Sequence, residues 1–128
     1  MKYEAELKNL LNNAYEPYTN YHVSAIVVMN DGKLIGGVNV NNAAFSNNMC
    51  AERNAIHTAI TAGYKKGDFK EIYIMHNKLI TPCGACLQTM AEFFNPDTKV
   101  ISVSTDGKSE EHLFSELLPV IYNNESLV

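Results

Sequence analysis

Residues 82–86 read Pro-Cys-Gly-Ala-Cys and residues 50–53 read Cys-Ala-Glu-Arg, and together they hold every cysteine of the chain. Cys83 and Cys86 have the Cys-x-x-Cys spacing that suits a metal site, and Cys50 supplies a third sulfur. A closed structural zinc site takes four protein ligands, whereas a catalytic site takes three and leaves one position for water. The count of three therefore favours a catalytic zinc centre held by these cysteines.

Glu52 lies two residues after Cys50, where it can act on a water at the open position. A glutamate in the first turn of a helix is a common stabilising choice, and only its offset from the cysteine points to a catalytic role. His57 is the nearest candidate for a fourth ligand, but seven helical positions give an axial rise of about 10.5 Å, too far for one ion. The other histidines have no partner at metal-ligand spacing and are expected to be ordinary surface or core residues: His22, His76 and His112.

Three further stretches flank the two cysteine motifs: YEPYTNY at 15–21, GVNVNNA at 37–43 and Leu-Leu-Pro at 117–119. In this order the motifs resemble those of the short, homotetrameric cytidine deaminases over nearly the whole chain. The resemblance implies a zinc-dependent hydrolase of pyrimidine salvage that converts cytidine and 2'-deoxycytidine to the uridine product and ammonia. In such enzymes zinc activates a water, and the residue matching Glu52 moves protons without being a ligand.

Composition limits the classes of protein that the chain can represent. With 128 residues, 46% of them hydrophobic, it is expected to form a single catalytic domain spanning 1–128. Its apolar runs are far shorter than the ~20 residues of a membrane span, and the charged residues near its start leave no signal peptide, so a cytoplasmic protein is expected. A net charge of −4 offers no general attraction for phosphate backbones, which favours a free nucleoside over a nucleic acid polymer as the partner.

Hydrophobic spacing and turn residues predict an initial hairpin followed by alternating strands and helices. The predicted elements are a helix within 3–14 that Pro17 ends, strands over 23–30 and 33–38, a helix over 51–62, a strand over 71–76, a helix from 82 to before Pro96, a strand over 99–104 and a short helical segment over 112–118. Asp31-Gly32 predicts a tight two-residue turn in the hairpin. This order is typical of an α/β domain with a mixed sheet. The resemblance implies five strands with helices on both faces, a three-layer α/β/α arrangement.

Both cysteine motifs are predicted to begin helices, where unpaired N–H groups favour the thiolate form of cysteine. Three thiolates on one Zn²⁺ leave a net charge of −1, which would make the ion a poorer activator of water. Arg53 is the only arginine of the chain, and hydrogen bonds from it to the sulfurs would draw charge off the metal. The resembling enzymes usually carry a second arginine after the last cysteine, where this chain has Leu87. Arg53 is therefore expected to be the sole charge compensator.

The resemblance also implies a set of substrate contacts. They are Tyr21 near the base, Asn39 at the ribose 3'-hydroxyl and the base, Asn41 two positions on, Ala51 beside the zinc ligand, Phe45 in the loop before the zinc helix, and Tyr122, which a neighbouring subunit would contribute. Asparagines of this kind are otherwise common turn formers, and an aromatic in such a loop or tail is otherwise a core or surface residue. At the position of Asn41 the resembling enzymes usually have a glutamate. The neutral amide could weaken the grip on ribose or shift the preference among sugars.

Three other functions remain open at the level of sequence. A deaminase of a cytosine nucleoside antibiotic of the blasticidin type shares both cysteine motifs, and Asn41 keeps that alternative open. A polynucleotide deaminase is disfavoured by the acidic charge, and such enzymes more often have His at the position of Cys50. A non-catalytic zinc-stabilised binding module would hold zinc but release no ammonia.

Overall fold

The helices and strands of residues 2–127 were described in a computed structural model, and the predicted domain ends at Met1 and Val128 lie outside these residues. The elements are α1 Glu4–Leu11, β1 Ser24–Met29, β2 Leu34–Val38, α2 Ala51–Thr61, β3 Phe69–His76, α3 Gly84–Phe93, β4 Lys99–Ser104, β5 Ser109–Leu113 and α4 Phe114–Leu117. Short 3₁₀ turns occur at Phe45–Asn47 and Asn124–Leu127. No helix within residues 2–127 is long and apolar enough to cross a membrane.

The five strands form one mixed sheet in the order β2-β1-β3-β4-β5. Strand β1 is antiparallel to both β2 and β3, β3 is parallel to β4, and β4 is antiparallel to β5. The parallel pair requires a crossover, and α3 provides it between β3 and β4. As a consequence the N-terminus of α3 follows the carboxyl end of β3, the side of an α/β sheet where sites are usually found.

Helices cover both faces of the sheet, which confirms the predicted three-layer arrangement. On one face α2 and α3 pack against the larger core, which includes Ile56, Ile72 and Met90. On the other face α1 inserts Leu7 into a smaller core with Tyr73. Successive side chains of β3 alternate between the two cores, because neighbouring residues of a strand point to opposite faces. The central strand is therefore buried on both sides.

Two details of the predicted elements are wrong. The hairpin turn has three residues, 30–32, because the Met29 N–H donates to Lys33 O and only Gly32 has a positive φ, 87°. The helical segment predicted over 112–118 begins at Phe114, since residues 112 and 113 belong to β5. Strand β5 is a short, mostly exposed edge strand of polar sequence, so it lacks the apolar alternation that would reveal it, and its pairing with β4 defines it.

Candidate metal centre and active site

The three cysteines meet at the starts of two helices. Cys50 is the N-cap residue of α2, Cys83 is the N-cap residue of α3, and Cys86 lies in the first turn of α3. Both N-cap residues have extended backbone angles, and neither side chain caps its own helix. The sulfurs are thus free to point to a common centre, which lies at the positive N-terminal ends of both helix dipoles.

The distances among the sulfurs suit zinc. The Sγ of Cys83 lies 3.7 Å from that of Cys50 and 3.4 Å from that of Cys86, and all three sulfurs lie within 4.8 Å of one another. Tetrahedral Zn²⁺ with Zn–S bonds of about 2.3 Å separates its sulfur ligands by about 3.8 Å. The donor set is all thiolate, which is a set that zinc prefers. The residues present therefore fit a three-cysteine zinc centre.

Glu52 lies beside this centre in an almost completely buried position. Only 4% of the residue is exposed, although it belongs to the first turn of α2. Burial, reinforced by the charge of Cys50, raises the pKa of Glu52 to about 7. A carboxyl group in this environment can both accept and release a proton near neutral pH.

A pocket of about 460 Å³ opens onto the cysteines, which is within the size range of small-molecule sites. The predicted site residues that line it are Tyr21, Asn39, Asn41, Cys50, Ala51, Glu52 and Cys83. Cys86 lies beneath them, buried in the core. Phe45 and Tyr122 are 65% and 58% exposed and do not belong to the lining that residues 2–127 form.

Comparison with known proteins identifies the family. Residues 2–103 match the family model described as "Cytidine and deoxycytidylate deaminase zinc-binding region". A cytidine deaminase of Halalkalibacterium halodurans is 37% identical over 114 residues, which cover 89% of this chain and 86% of that protein. A cytidine deaminase of Mycoplasma genitalium is 33% identical over 88% of this chain and 87% of its own length. The crystal structure of cytidine deaminase from Burkholderia pseudomallei superimposes with a TM-score of 0.89 at 37% identity, covering 95% of this chain and 100% of that one.

The chain belongs to the zinc-dependent cytidine deaminase family. Its cofactor is zinc, as the sequence predicted, and the cluster of Cys50, Cys83 and Cys86 is the group of residues that could hold it. The cytidine deaminase fold expected from the motifs is likewise confirmed.

One cationic side chain contacts the cysteines among residues 2–127. Arg53 Nη2 donates to Cys50 Sγ at 3.5 Å, while Leu87 packs against the core. The neighbouring thiol of Cys86, and then hydrogen bonds with Arg53 and Cys83, lower the pKa of Cys50 to about 5 against the opposing effect of burial. The neighbouring Cys50 and burial raise the pKa of Cys86. Thiols bind a metal ion in their deprotonated form, so a cation bound among these sulfurs would displace protons.

Asn39 is more constrained than a free substrate ligand would be. Its Oδ1 accepts a hydrogen bond from the Val23 N–H at 2.9 Å, and its Nδ2 donates to Tyr21 O. The carbonyl oxygen and the amino group of its side chain each retain one further hydrogen-bonding position. Asn39 therefore holds the 21–23 segment against the pocket and can still offer a polar contact to a ligand.

Asn41 is also buried, and its Nδ2 lies 3.5 Å from Thr19 Oγ1. Sequence reasoning did not assign a role to several other residues that line the pocket: Thr19, Val23, Asn48, Met49, Ile80 and Thr81. It also missed the contact of His76 with Tyr21, whose rings stack with centroids 4.1 Å apart. The contact between His76 and Tyr21 has no spacing signal, because the two residues are 55 positions apart and meet only through the sheet.

Proposed function

We propose that the protein hydrolyses the amino group of cytidine and 2'-deoxycytidine, giving uridine and 2'-deoxyuridine plus ammonia, and that it serves pyrimidine salvage in the cytoplasm. The observation that carries this proposal is the buried Glu52 in the same pocket as the three converging sulfurs. A structural zinc site would need neither a pocket nor a buried carboxyl group at the metal. The names of the similar proteins support the same substrate class.

Zinc held by the three cysteines would supply an activated nucleophile, because it lowers the pKa of a bound water from ~15.7 toward ~7. Glu52 would accept the proton of that water and pass a proton to N3 of the cytosine ring. The water oxygen would form a bond to C4, and the bond from C4 to the exocyclic amino nitrogen would then break. Glu52 would also pass the second proton of the same water, from the new hydroxyl at C4, to the departing amine, so that one water is consumed for each ammonia released.

The pocket suggests how the nucleoside would be oriented. Tyr21 lies on the wall of the pocket, where its ring can contact the base, and Ala51 is a small, fully buried residue beside the zinc ligand. Asn39 and Asn41 would supply polar contacts to the sugar. Because Asn41 is a neutral amide, we propose that both cytidine, with its ribose, and 2'-deoxycytidine, with its deoxyribose, are substrates.

Completion of the pocket is proposed to involve a homotetramer. Tyr122 and Phe45 are exposed in the single chain, together with Tyr18, whose ring centroid lies 6.1 Å from that of Phe45. Gln88 Nε2 on α3 donates to Tyr122 O at 2.9 Å, which anchors the tail that presents this tyrosine. We propose that Tyr122 reaches the pocket of a neighbouring subunit and that Phe45 adds to the rim.

A second candidate is deamination of a cytosine nucleoside antibiotic of the blasticidin type. The observation that favours it is the uncharged Asn41 and Thr19 pair in the part of the pocket proposed for the sugar. An uncharged site of this kind would not place a carboxylate next to the modified sugar of the antibiotic.

A panel of cytosine compounds tests both candidates. Purified zinc-loaded protein is incubated with cytidine, 2'-deoxycytidine, blasticidin S and a cytosine-containing oligonucleotide, and ammonia release is measured. We expect turnover of the two nucleosides. Turnover of the antibiotic alone would select the second candidate, and zinc binding without ammonia from any compound would indicate a binding module.

A variant of Glu52 tests the assigned chemistry. Glu52→Gln should lower kcat by about 10²- to 10⁴-fold, with zinc remaining near one per chain. Glu92→Gln, an exposed glutamate on α3, is the matched control and should behave as wild type. Loss of zinc from Glu52→Gln, or substantial activity in it, would contradict the proposed role.

A further inference from the structure

One wall of the pocket is a stretch of irregular chain, residues 21–23, which depends on its neighbours for its position. Tyr21 and Val23 line the pocket, and the stretch leads into β1. The side chain of Asn39 holds this stretch through two hydrogen bonds, one from the Val23 N–H to its Oδ1 and one from its Nδ2 to Tyr21 O. These bonds fix the backbone but leave the ring of Tyr21, a residue that is 43% exposed, without support from Asn39.

The support for the ring comes from His76. This residue is only 5% exposed, and its ring stacks on that of Tyr21 with centroids 4.1 Å apart and an angle of 30° between the planes. Its Nδ1 lies 2.7 Å from His22 O. A carbonyl oxygen can only accept, so Nδ1 carries the hydrogen and the imidazole orientation is fixed. His76 thus contacts the segment through its backbone and through its aromatic ring.

His76 is itself held by the sheet. It is the last residue of β3 and pairs with Ser104 of β4, and its carbonyl oxygen accepts a hydrogen bond from the Thr105 N–H at 3.0 Å. Side chains built on strands are positioned more accurately than those on loops. The imidazole of His76 is therefore held in a fixed position against the ring of Tyr21, which lies in a loop.

The side chain of His22 adds a second tether to the same stretch. Its Nε2 lies 2.6 Å from Oε1 of Glu16, which is a buried residue. His22 is consequently held both at its backbone oxygen, by His76, and at its side chain, by Glu16. Burial and the negative charges of Glu52 and Cys50 raise the pKa of Tyr21, which agrees with a phenol that faces the zinc centre.

We propose that His76 is a positioning residue that holds the ring of Tyr21 at the angle at which it contacts the base of the substrate. This inference rests on the proposed function, which assigns Tyr21 to base contact. His76 does not line the pocket formed by residues 2–127, so its effect is transmitted through the stack. Aromatic pairs of this kind are worth roughly two- to tenfold in an equilibrium constant.

Steady-state kinetics of His76 variants test the proposal. His76→Ala should raise KM for cytidine by about two- to tenfold with kcat within about twofold of wild type and zinc content unchanged. His76→Phe restores a stacking ring and should return KM to within about twofold of wild type. His112→Ala, which removes a half-buried histidine that contacts Glu110 on β5, is the control and should leave KM unchanged.

A double variant shows whether His76 acts through Tyr21. In the Tyr21→Ala background, His76→Ala should cause no further rise in KM, because the ring that it positions is absent. A full additional rise would overturn the proposal, and so would an unchanged KM in His76→Ala or a His76→Phe enzyme no better than His76→Ala.

A measurement without substrate separates this inference from the proposed function. In protein with ¹³C-labelled tyrosine, the Tyr21 ring signals, assigned by their loss in Tyr21→Phe, should shift in His76→Ala and return toward wild type in His76→Phe. Unshifted signals in His76→Ala would overturn the positioning role even if cytidine is turned over. If wild type releases no ammonia, the proposed function fails, and the ring signals decide the positioning role alone.

Discussion

Gly37 of β2 and Ala51 of α2 lie so close that a Cβ atom at Gly37 would come within 2.6 Å of Ala51 O. The same added atom would clash with the backbone nitrogen of Ala55. Only glycine allows the helix to approach the strand this closely. Since Ala51 stands between Cys50 and Glu52, this contact fixes the backbone next to a proposed zinc ligand and next to the proposed proton shuttle.

Gly37→Ala should therefore destabilise the protein and disturb the site together. Overpacking typically costs about 1 to 3 kcal/mol, and here the clash is with backbone that cannot rotate away. We expect a lower free energy of unfolding in denaturant titrations, and a lower kcat in the fraction that remains folded. Gly84→Ala is the control, because a Cβ there meets no atom within 4 Å. Equal stabilities of Gly37→Ala and wild type would show that the helix can shift without cost.

Arg53→Ala should impair the zinc centre without unfolding the domain. The guanidinium of Arg53 donates to Cys50 Sγ, and the half-buried Leu87 packs against the core where the resemblance would place a second arginine. Changes to residues that contact metal ligands commonly cost ~10- to 100-fold in affinity or activity. Zinc per chain and kcat/KM are measured together, with Arg53→Lys retaining the charge but not the planar fork. Unchanged activity and zinc content in Arg53→Ala would contradict the compensating role.

Tyr122→Ala tests whether subunits share their pockets. If this ring reaches a neighbouring pocket and contacts the base, its removal should raise KM for cytidine by about tenfold, since base stacking is worth ~1 to 3 kcal/mol in single-stranded nucleic acid binding. Val120→Ala, in the same exposed tail, is the matched control. Sedimentation of both variants shows whether the assembly persists. A fully active monomeric wild type, or an unchanged KM in Tyr122→Ala, would remove the basis for shared sites.

Tyr73 should give stability a specific alkaline dependence. Burial, aided by the charge of Glu71, raises the pKa of Tyr73 to about 12, above the ordinary value of 10.0. The folded state then keeps a proton that the unfolded state releases, so this contribution is full below pH 10 and is lost as pH rises toward 12. Denaturant titrations of wild type and Tyr73→Phe should show a steeper loss of stability in wild type over that range. Parallel losses in the two proteins would contradict the assignment.

The sequence predicted a helix or strand accurately where its bounds depend on residues close together in the chain, and less accurately where they depend on residues far apart. The strand over 99–104 was predicted with its exact bounds, and the helix over 51–62 to within one residue, because apolar spacing and a terminal glycine are local signals. Strand β5 could not be predicted in this way, since its polar residues become a strand only by pairing with β4. The two-residue turn was wrong for a related reason, because Asp31-Gly32 permits several turns and the strand register selects one.

The family and the three cysteines that could hold zinc were identified from the sequence by itself, because Cys-x-x-Cys and the Cys-x-Glu offset are short patterns that each lie at one helix start. Only the tertiary structure decided what surrounds that centre. The ring of His76 reaches Tyr21 because β1 and β3 are neighbours in the sheet, and Gly37 reaches Ala51 because α2 packs across β2. Such contacts join positions far apart in the chain, where each residue taken alone is an ordinary histidine, tyrosine or glycine.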